Sequence, residues 1–155
     1  MTSPRSIPVE LALPFWRYGA VFRGEGCAFL LDSAKSDDRL GRVSYLGGRP
    51  DALLTGRRTG RPDLAMDLTL TTWRRPDGQP CDPPAVRTWT GDPFAALRAL
   101  QAAYRPADLS PGGHFTGGLV GYVGYEAGHA IESLPDTGID DLHLPDLAFM
   151  VASVV

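Results

Sequence analysis

Apolar and polar residues alternate near the start of the chain. Ile7, Val9, Leu11 and Leu13 interleave with Pro8, Glu10 and Ala12, a period of two that predicts a half-buried strand, put at a sheet edge by its proline. Residues 15–23 predict a short helix stopped by Gly24 and Gly26. The compact apolar run 27–31 predicts a buried strand that ends on Asp32 and Ser33. Further strands are expected at 43–46 and 52–55, separated by Gly47, Gly48 and Pro50. The clearest strand is 64–72, with Leu64, Met66, Leu68 and Leu70 on one face and Asp67, Thr69 and Thr71 on the other. Residues 75–84 read as a polar loop and 86–90 as a short strand.

A helix follows. Asp92 can cap it by accepting from free backbone N–H groups, and Pro93 suits the first helical position. Phe94, Leu97, Leu100 and Tyr104 form an apolar stripe at helical spacing, and Pro106 blocks continuation. Strand character returns over 115–125, one or two helical turns are expected over 126–131, and 147–155 is a β-rich apolar run. A bare hydrophobic strand at that point predicts a piece of something longer, since an unpaired apolar edge invites association. Many strands, one good helix and few strand–helix–strand alternations predict an α+β domain on a mainly antiparallel sheet, one layer of a larger two-domain α+β enzyme.

Composition narrows this picture. The 155 residues suit a single domain. Eighteen glycines and fourteen prolines argue for short strands and turns over a helical bundle. A net charge of −3 shows no basic face of the kind that nucleic acid requires. Every Lys and Arg lies at or before Arg105, whereas Asp108, Glu126, Glu132, Asp136, Asp140, Asp141 and Asp146 follow with no base among them. They form either a solvated acidic rim or a surface facing basic groups outside the chain. Two cysteines, Cys27 and Cys81, give neither a disulfide framework nor metal spacing and fit a reducing cytosol. Residues 7–13, broken by Pro8 and Glu10, do not read as a signal peptide, and no apolar run approaches a membrane span. A cytoplasmic protein without membrane contact is expected.

Candidate chemistry is sparse. His114, His129 and His143 stand fifteen and fourteen residues apart without metal-ligand spacing. A hydrolase built on Ser33 and a histidine would lack the Gly-x-Ser-x-Gly elbow. The glycines at 117, 118, 121 and 124 lack the lysine of a phosphate loop, and inside an apolar run they read better as places where another backbone packs close. Asp32 and Ser33 at a strand end can hold an ammonium, and the cluster 39–44 supplies a guanidinium able to pair a carboxylate. Such groups suit a zwitterionic amino acid; the alternative is a plain turn beside a solvated arginine.

Four segments together resemble one family: Phe29-Leu-Leu-Asp-Ser-Ala34, Gly41-Arg-Val-Ser-Tyr-Leu-Gly47 with Pro50 just after, Gly117-Gly-Leu-Val-Gly-Tyr-Val-Gly-Tyr-Glu126, and Leu144-Pro-Asp-Leu-Ala-Phe149. In this order they are similar to the N-terminal domain of anthranilate synthase and aminodeoxychorismate synthase large subunits. The Leu-Asp-Ser-Ala wording resembles more closely the aminodeoxychorismate branch, which leads to para-aminobenzoate and folate; anthranilate synthases more often carry Glu where Asp32 stands. The resemblance implies that residues 1–155 are one non-catalytic N-terminal domain, with the chorismate-binding domain absent from this sequence. It further implies partners, namely that C-terminal domain, a glutamine amidotransferase subunit that delivers ammonia, and L-tryptophan. No catalytic or metal residue is expected in this chain, and Mg²⁺ would serve the catalytic domain. Asp32, Ser33, Leu40, Gly41, Arg42 and Val43 match positions lining half of a tryptophan pocket. Three alternatives stand beside this: the regulatory domain of anthranilate synthase itself, a free-standing amino-acid-binding module, and the small hydrolase.

Overall fold

The computed structural model describes residue 7 and residues 9–33, 43–60, 65–105, 115–135 and 139–152. Its strands form two antiparallel sheets. β1 (Ala28–Leu31) and β2 (Tyr45–Gly48) make a two-stranded sheet. β3 (Ala52–Arg58), β4 (Met66–Arg74), β5 (Pro80–Gly91), β6 (Gly118–Val123) and β7 (Leu147–Ala152) make a five-stranded one in the order β5-β4-β3-β7-β6. One α-helix, α1 (Pro93–Ala103), follows β5, and two 3₁₀ helices span Phe15–Phe22 and Tyr125–Ala130. This is the expected α+β class with mainly antiparallel pairing.

The large sheet owes its core to register. Leu54 lies opposite Leu70 on β4 and Phe149 on β7, while Gly56 lies opposite Leu68 and Leu147. Side chains of period two therefore gather on one face, where Ala52, Leu54, Met66, Leu68 and Leu147 are almost wholly buried. Leu100 of α1 and Ala127 join this cluster, flanked by Ala96, Leu97 and Tyr104. Each large aliphatic side chain taken from water contributes about 1.5–3 kcal/mol. The helix begins as its sequence predicts: Asp92 Oδ1 accepts from the N–H groups of Phe94 and Ala95 at 2.8 and 3.2 Å, with Pro93 in the first turn.

Several expectations need correction. The alternation at 7–13 forms no strand among its described residues, and Ile7 and Val9 are about three-quarters exposed. Tyr18 Oη instead accepts the N–H groups of Ala12 and Leu13 at 2.9 and 3.2 Å, which takes this backbone away from any ladder. β1 exists but is not buried, because a two-stranded sheet covers little; only Phe29 is enclosed, while Leu31 is half exposed. Residues 75–84 are not one loop. A tight turn closed by Gly78 N–H to Arg75 O and Arg75 N–H to Gln79 O starts β5 at Pro80. Three prolines fit there because β5 lies at the sheet edge and its pairing skips from Ala85 to Pro80.

β7 is apolar for a reason other than the expected one. It is a central strand, paired with β3 on one side and β6 on the other. Of the two glycines in β6, Gly121 serves close packing, as read from the sequence: a Cβ on it would meet Ala148 O and stand 2.6 Å from Phe149 Cα, whereas Gly118 has a φ of +132° and room at its Cβ.

Candidate functional site

β1 and β2 run antiparallel with Leu31 opposite Tyr45, so the residues just beyond, Asp32 and Ser33, face Ser44 and Val43. Hydrogen bonds lock this corner. Ser44 Oγ donates to Asp32 Oδ1 at 2.8 Å and accepts the N–H of Ser33 at 3.0 Å. Ser33 Oγ donates to Val43 O at 2.7 Å. Three predicted site residues, Asp32, Ser33 and Val43, are thereby brought together. Leu40, Gly41 and Arg42 lie outside the described residues.

An aromatic brace ties the corner to the large sheet. The Phe115 ring meets those of Phe29 and Tyr45 edge-on, with centroids 6.5 and 5.8 Å away, and its N–H donates to Tyr45 Oη at 3.3 Å. Behind the hairpin, Phe22 packs so tightly on Gly48 that a Cβ there would overlap the ring.

Chemically the corner is an acceptor. A serine hydroxyl has one proton. Ser44 gives its proton to Asp32, and Ser33 gives its own to Val43. Among the described residues no hydrogen bond is donated to Asp32 Oδ2 or Ser33 Oγ, so the bonds within the corner leave a carboxylate oxygen and a hydroxyl with accepting capacity. Sequence reasoning missed Ser44. The signal was its place in Gly-Arg-Val-Ser-Tyr, where antiparallel pairing sets it across from Asp32.

Two open clefts carry further charged groups. One, of about 520 Å³, is lined by Arg57, Arg58, Tyr125, Glu126 and the segment 139–146. Arg57 pairs with Asp140 at 3.2 Å and Arg58 with Glu126 at 3.5 Å, while His143 and His129 stand 3.4 and 3.3 Å from those same carboxylates. Desolvation acts to raise the Asp140 carboxyl, yet hydrogen bonds from His143 and Arg57 and their charges together hold it below its ordinary value. Glu126 and Asp140 thus pair with arginines of this chain, and Asp146 Oδ2 accepts the backbone N–H of Arg58. The second cleft, about 540 Å³, lies between Cys27, Trp73, Arg49 and Arg74, with both arginines paired to Glu25 and Asp51. Burial pushes the Cys27 thiol up, toward its unreactive protonated form. Among the described residues no group of three or more His, Cys, Asp or Glu could hold a metal ion. No helix among them is long and apolar enough to cross a membrane.

Fold and corner together define an α+β domain with a hydrogen-bonded corner at the end of its two-stranded sheet. The chain is similar to anthranilate synthase component 1 of Cereibacter sphaeroides, 35% identical over 82% of this chain and 23% of the relative. The component 1 proteins of Mycobacterium tuberculosis and Mycolicibacterium smegmatis are 30% and 29% identical over 97% and 96% of this chain, and 27% and 25% of their own length. The chain spans about a quarter of the length of these curated relatives and is similar to that portion of anthranilate synthase component 1. No family model matches it. These relatives support the anthranilate synthase side of the resemblance, not the aminodeoxychorismate side toward which the Leu-Asp-Ser-Ala wording leans.

Proposed function

We propose that this chain is a non-catalytic domain of a chorismate-aminating synthase, which packs on the catalytic domain and contributes half of a tryptophan pocket. The observation that carries the reading is the hydrogen-bonded corner of Asp32, Ser33 and Ser44. Its outward groups accept hydrogen bonds, which suits the α-ammonium of an amino acid. Leu30 and Leu31, both more than 40% exposed beside it, offer apolar surface to an indole. In this reading Arg42 pairs the ligand's carboxylate, and Leu40 and Gly41 complete the wall. Chorismate chemistry and Mg²⁺ belong to the catalytic domain, ammonia comes from a glutamine amidotransferase subunit, and the assembly works in the cytoplasm.

We place the domain with anthranilate synthase, in tryptophan biosynthesis, because its relatives bear that name. Assignment to aminodeoxychorismate synthase is the second reading and rests on the aspartate at position 32. The test joins this chain to a separately supplied catalytic domain with chorismate, Mg²⁺ and ammonia. Anthranilate should form, and only in the mixture. Aminodeoxychorismate would favour the second reading, and turnover by this chain alone would end the claim that it is non-catalytic. Calorimetric titration with L-tryptophan should show saturable binding; no heat into the millimolar range, with or without the catalytic domain, would remove the pocket.

A further inference from the structure

We infer that the outer edge of β6, together with the acidic cleft at its end, is a docking surface for an extended, basic strand of another polypeptide. This surface is separate from the corner between β1 and β2, and nothing in the inference depends on tryptophan binding there.

The backbone shows where the strand adds. β6 closes one side of the five-stranded sheet, and among the described residues no strand pairs with its outer side. Gly124 N–H donates to Asp146 O, and Asp51 N–H donates to Val151 O from the β3 side. At the two-residue period of an antiparallel ladder, both bonds leave the N–H and C=O groups of Leu119, Gly121 and Val123 pointing away from β7. The opposite edge is guarded. β5 carries Pro80, Pro83 and Pro84, which have no N–H to offer, and the charged Arg87. β6 reads Gly-Leu-Val-Gly-Tyr-Val, with neither proline nor charge. Such an unguarded apolar edge is a template on which a further strand pairs.

Apolar surface and charge say what that strand carries. The edge runs into the cleft of about 520 Å³, where Tyr125 is 86% exposed and Ile139 90%, with Leu142 and Leu144 also open to solvent. Apolar side chains gathered in this way mark a protein contact. The same cleft sets Arg57 and Arg58 against Glu126, Asp140, Asp141 and Asp146, which leaves it acidic. Glu126 and Asp140 are paired, whereas no cation of the described residues lies within ion-pairing reach of Asp141. An antiparallel partner, which continues the pattern of this sheet, puts its N-terminal residues at the cleft. Lysine or arginine there meets Asp141, and an aliphatic neighbour covers Tyr125 and Leu142.

The test is an amide-resolved NMR titration of the whole chain with three short peptides. One begins with two lysines and a leucine and continues in alternating threonine and valine. The second has glutamates in place of the lysines, and the third is N-methylated along the alternating part, which removes its ladder donors. The first should shift the amides of Leu119, Gly121 and Val123 together with those of Tyr125 and Asp141. It should bind roughly tenfold more tightly than the second, the scale of a few exposed charge contacts. The third should not bind. Asp141→Lys, a change at an exposed position, should erase the preference for lysine while the remaining amide spectrum stays that of the folded chain. Absence of shifts into the millimolar range would overturn the docking surface, as would equal binding of the lysine and glutamate peptides or binding of the N-methylated one. A chain that sediments as a dimer with the β6 amides already protected from exchange would overturn it by giving the edge to a second copy. Protection of those amides in the monomer would overturn it by giving the edge to this chain itself. None of these results bears on the calorimetric test of the tryptophan pocket, so the two readings fail separately.

Discussion

Asp146 Oδ2 accepts the backbone N–H of Arg58 at 2.7 Å, joining positions 88 apart in sequence. Its carbonyl oxygen accepts the N–H of Gly124, also at 2.7 Å. Asp146 immediately precedes β7, and these bonds clamp the start of that strand between the end of β3 and the end of β6. The Leu-Pro-Asp-Leu-Ala-Phe segment thus has a structural reason for its aspartate, separate from any ligand.

Removing that clamp should loosen the middle of the sheet. Asp146→Ala is expected to lower stability by about 1.5–3 kcal/mol, the range for a hydrogen bond to a charged acceptor. Asp146→Asn keeps an oxygen that can accept and should lose clearly less. Urea unfolding of the three proteins checks this. Equal losses in the two variants would show that negative charge near Arg57 and Arg58 matters, and not the bond to the Arg58 backbone.

Gly121 makes a sharper case, because what it meets is backbone. Its absent side chain leaves room for Ala148 O and for Phe149 Cα on the paired strand. Gly121→Ala must push β6 from β7, and neither neighbour is a flexible side chain that could swing aside. A loss at or above the 1–3 kcal/mol of ordinary overpacking is expected. Gly19→Ala is the control, since nothing lies within 4 Å of the added carbon. Thermal melts that rank the two alike would contradict the close approach.

Much of this was legible because the signals were local. Asp92 and Pro93 announced a helix start, and Leu68 and Leu70 announced a strand, since cap chemistry and period two act within a few residues. The failures came from partners distant in sequence. Ile7 and Val9 carry strand alternation, yet Tyr18 takes the backbone donors of Ala12 and Leu13. Pro80, Pro83 and Pro84 look like loop, and only the edge position of β5 admits them to a sheet. For the site, Asp32 and Ser33 were visible through the family resemblance. Ser44 was not, because its role depends on which residue of the facing strand lies opposite Asp32, and register is not written within one strand.

Tyr104 gives the fold a measurable sensitivity to alkaline pH. It ends the helix stripe and its Oη donates to Arg74 O at 2.7 Å, tying α1 to the end of β4. Burial raises the phenol above its usual 10.0, the charge of Asp51 adds to this, and a hydrogen bond from Thr72 opposes it in part. Folding therefore favours the protonated phenol. That contribution is fully present below the unfolded value and is lost as pH rises through the higher folded value. Tyr104→Phe keeps the ring and drops the donor, so it should cost about 0.5–1.5 kcal/mol near neutral pH. The gap between wild type and variant should shrink in urea unfolding repeated at about pH 11, where ordinary tyrosines ionise. Other tyrosines titrate in both proteins and cancel in the difference. A gap that stays constant with pH would mean that the ring's packing holds α1 in place and the hydroxyl does not.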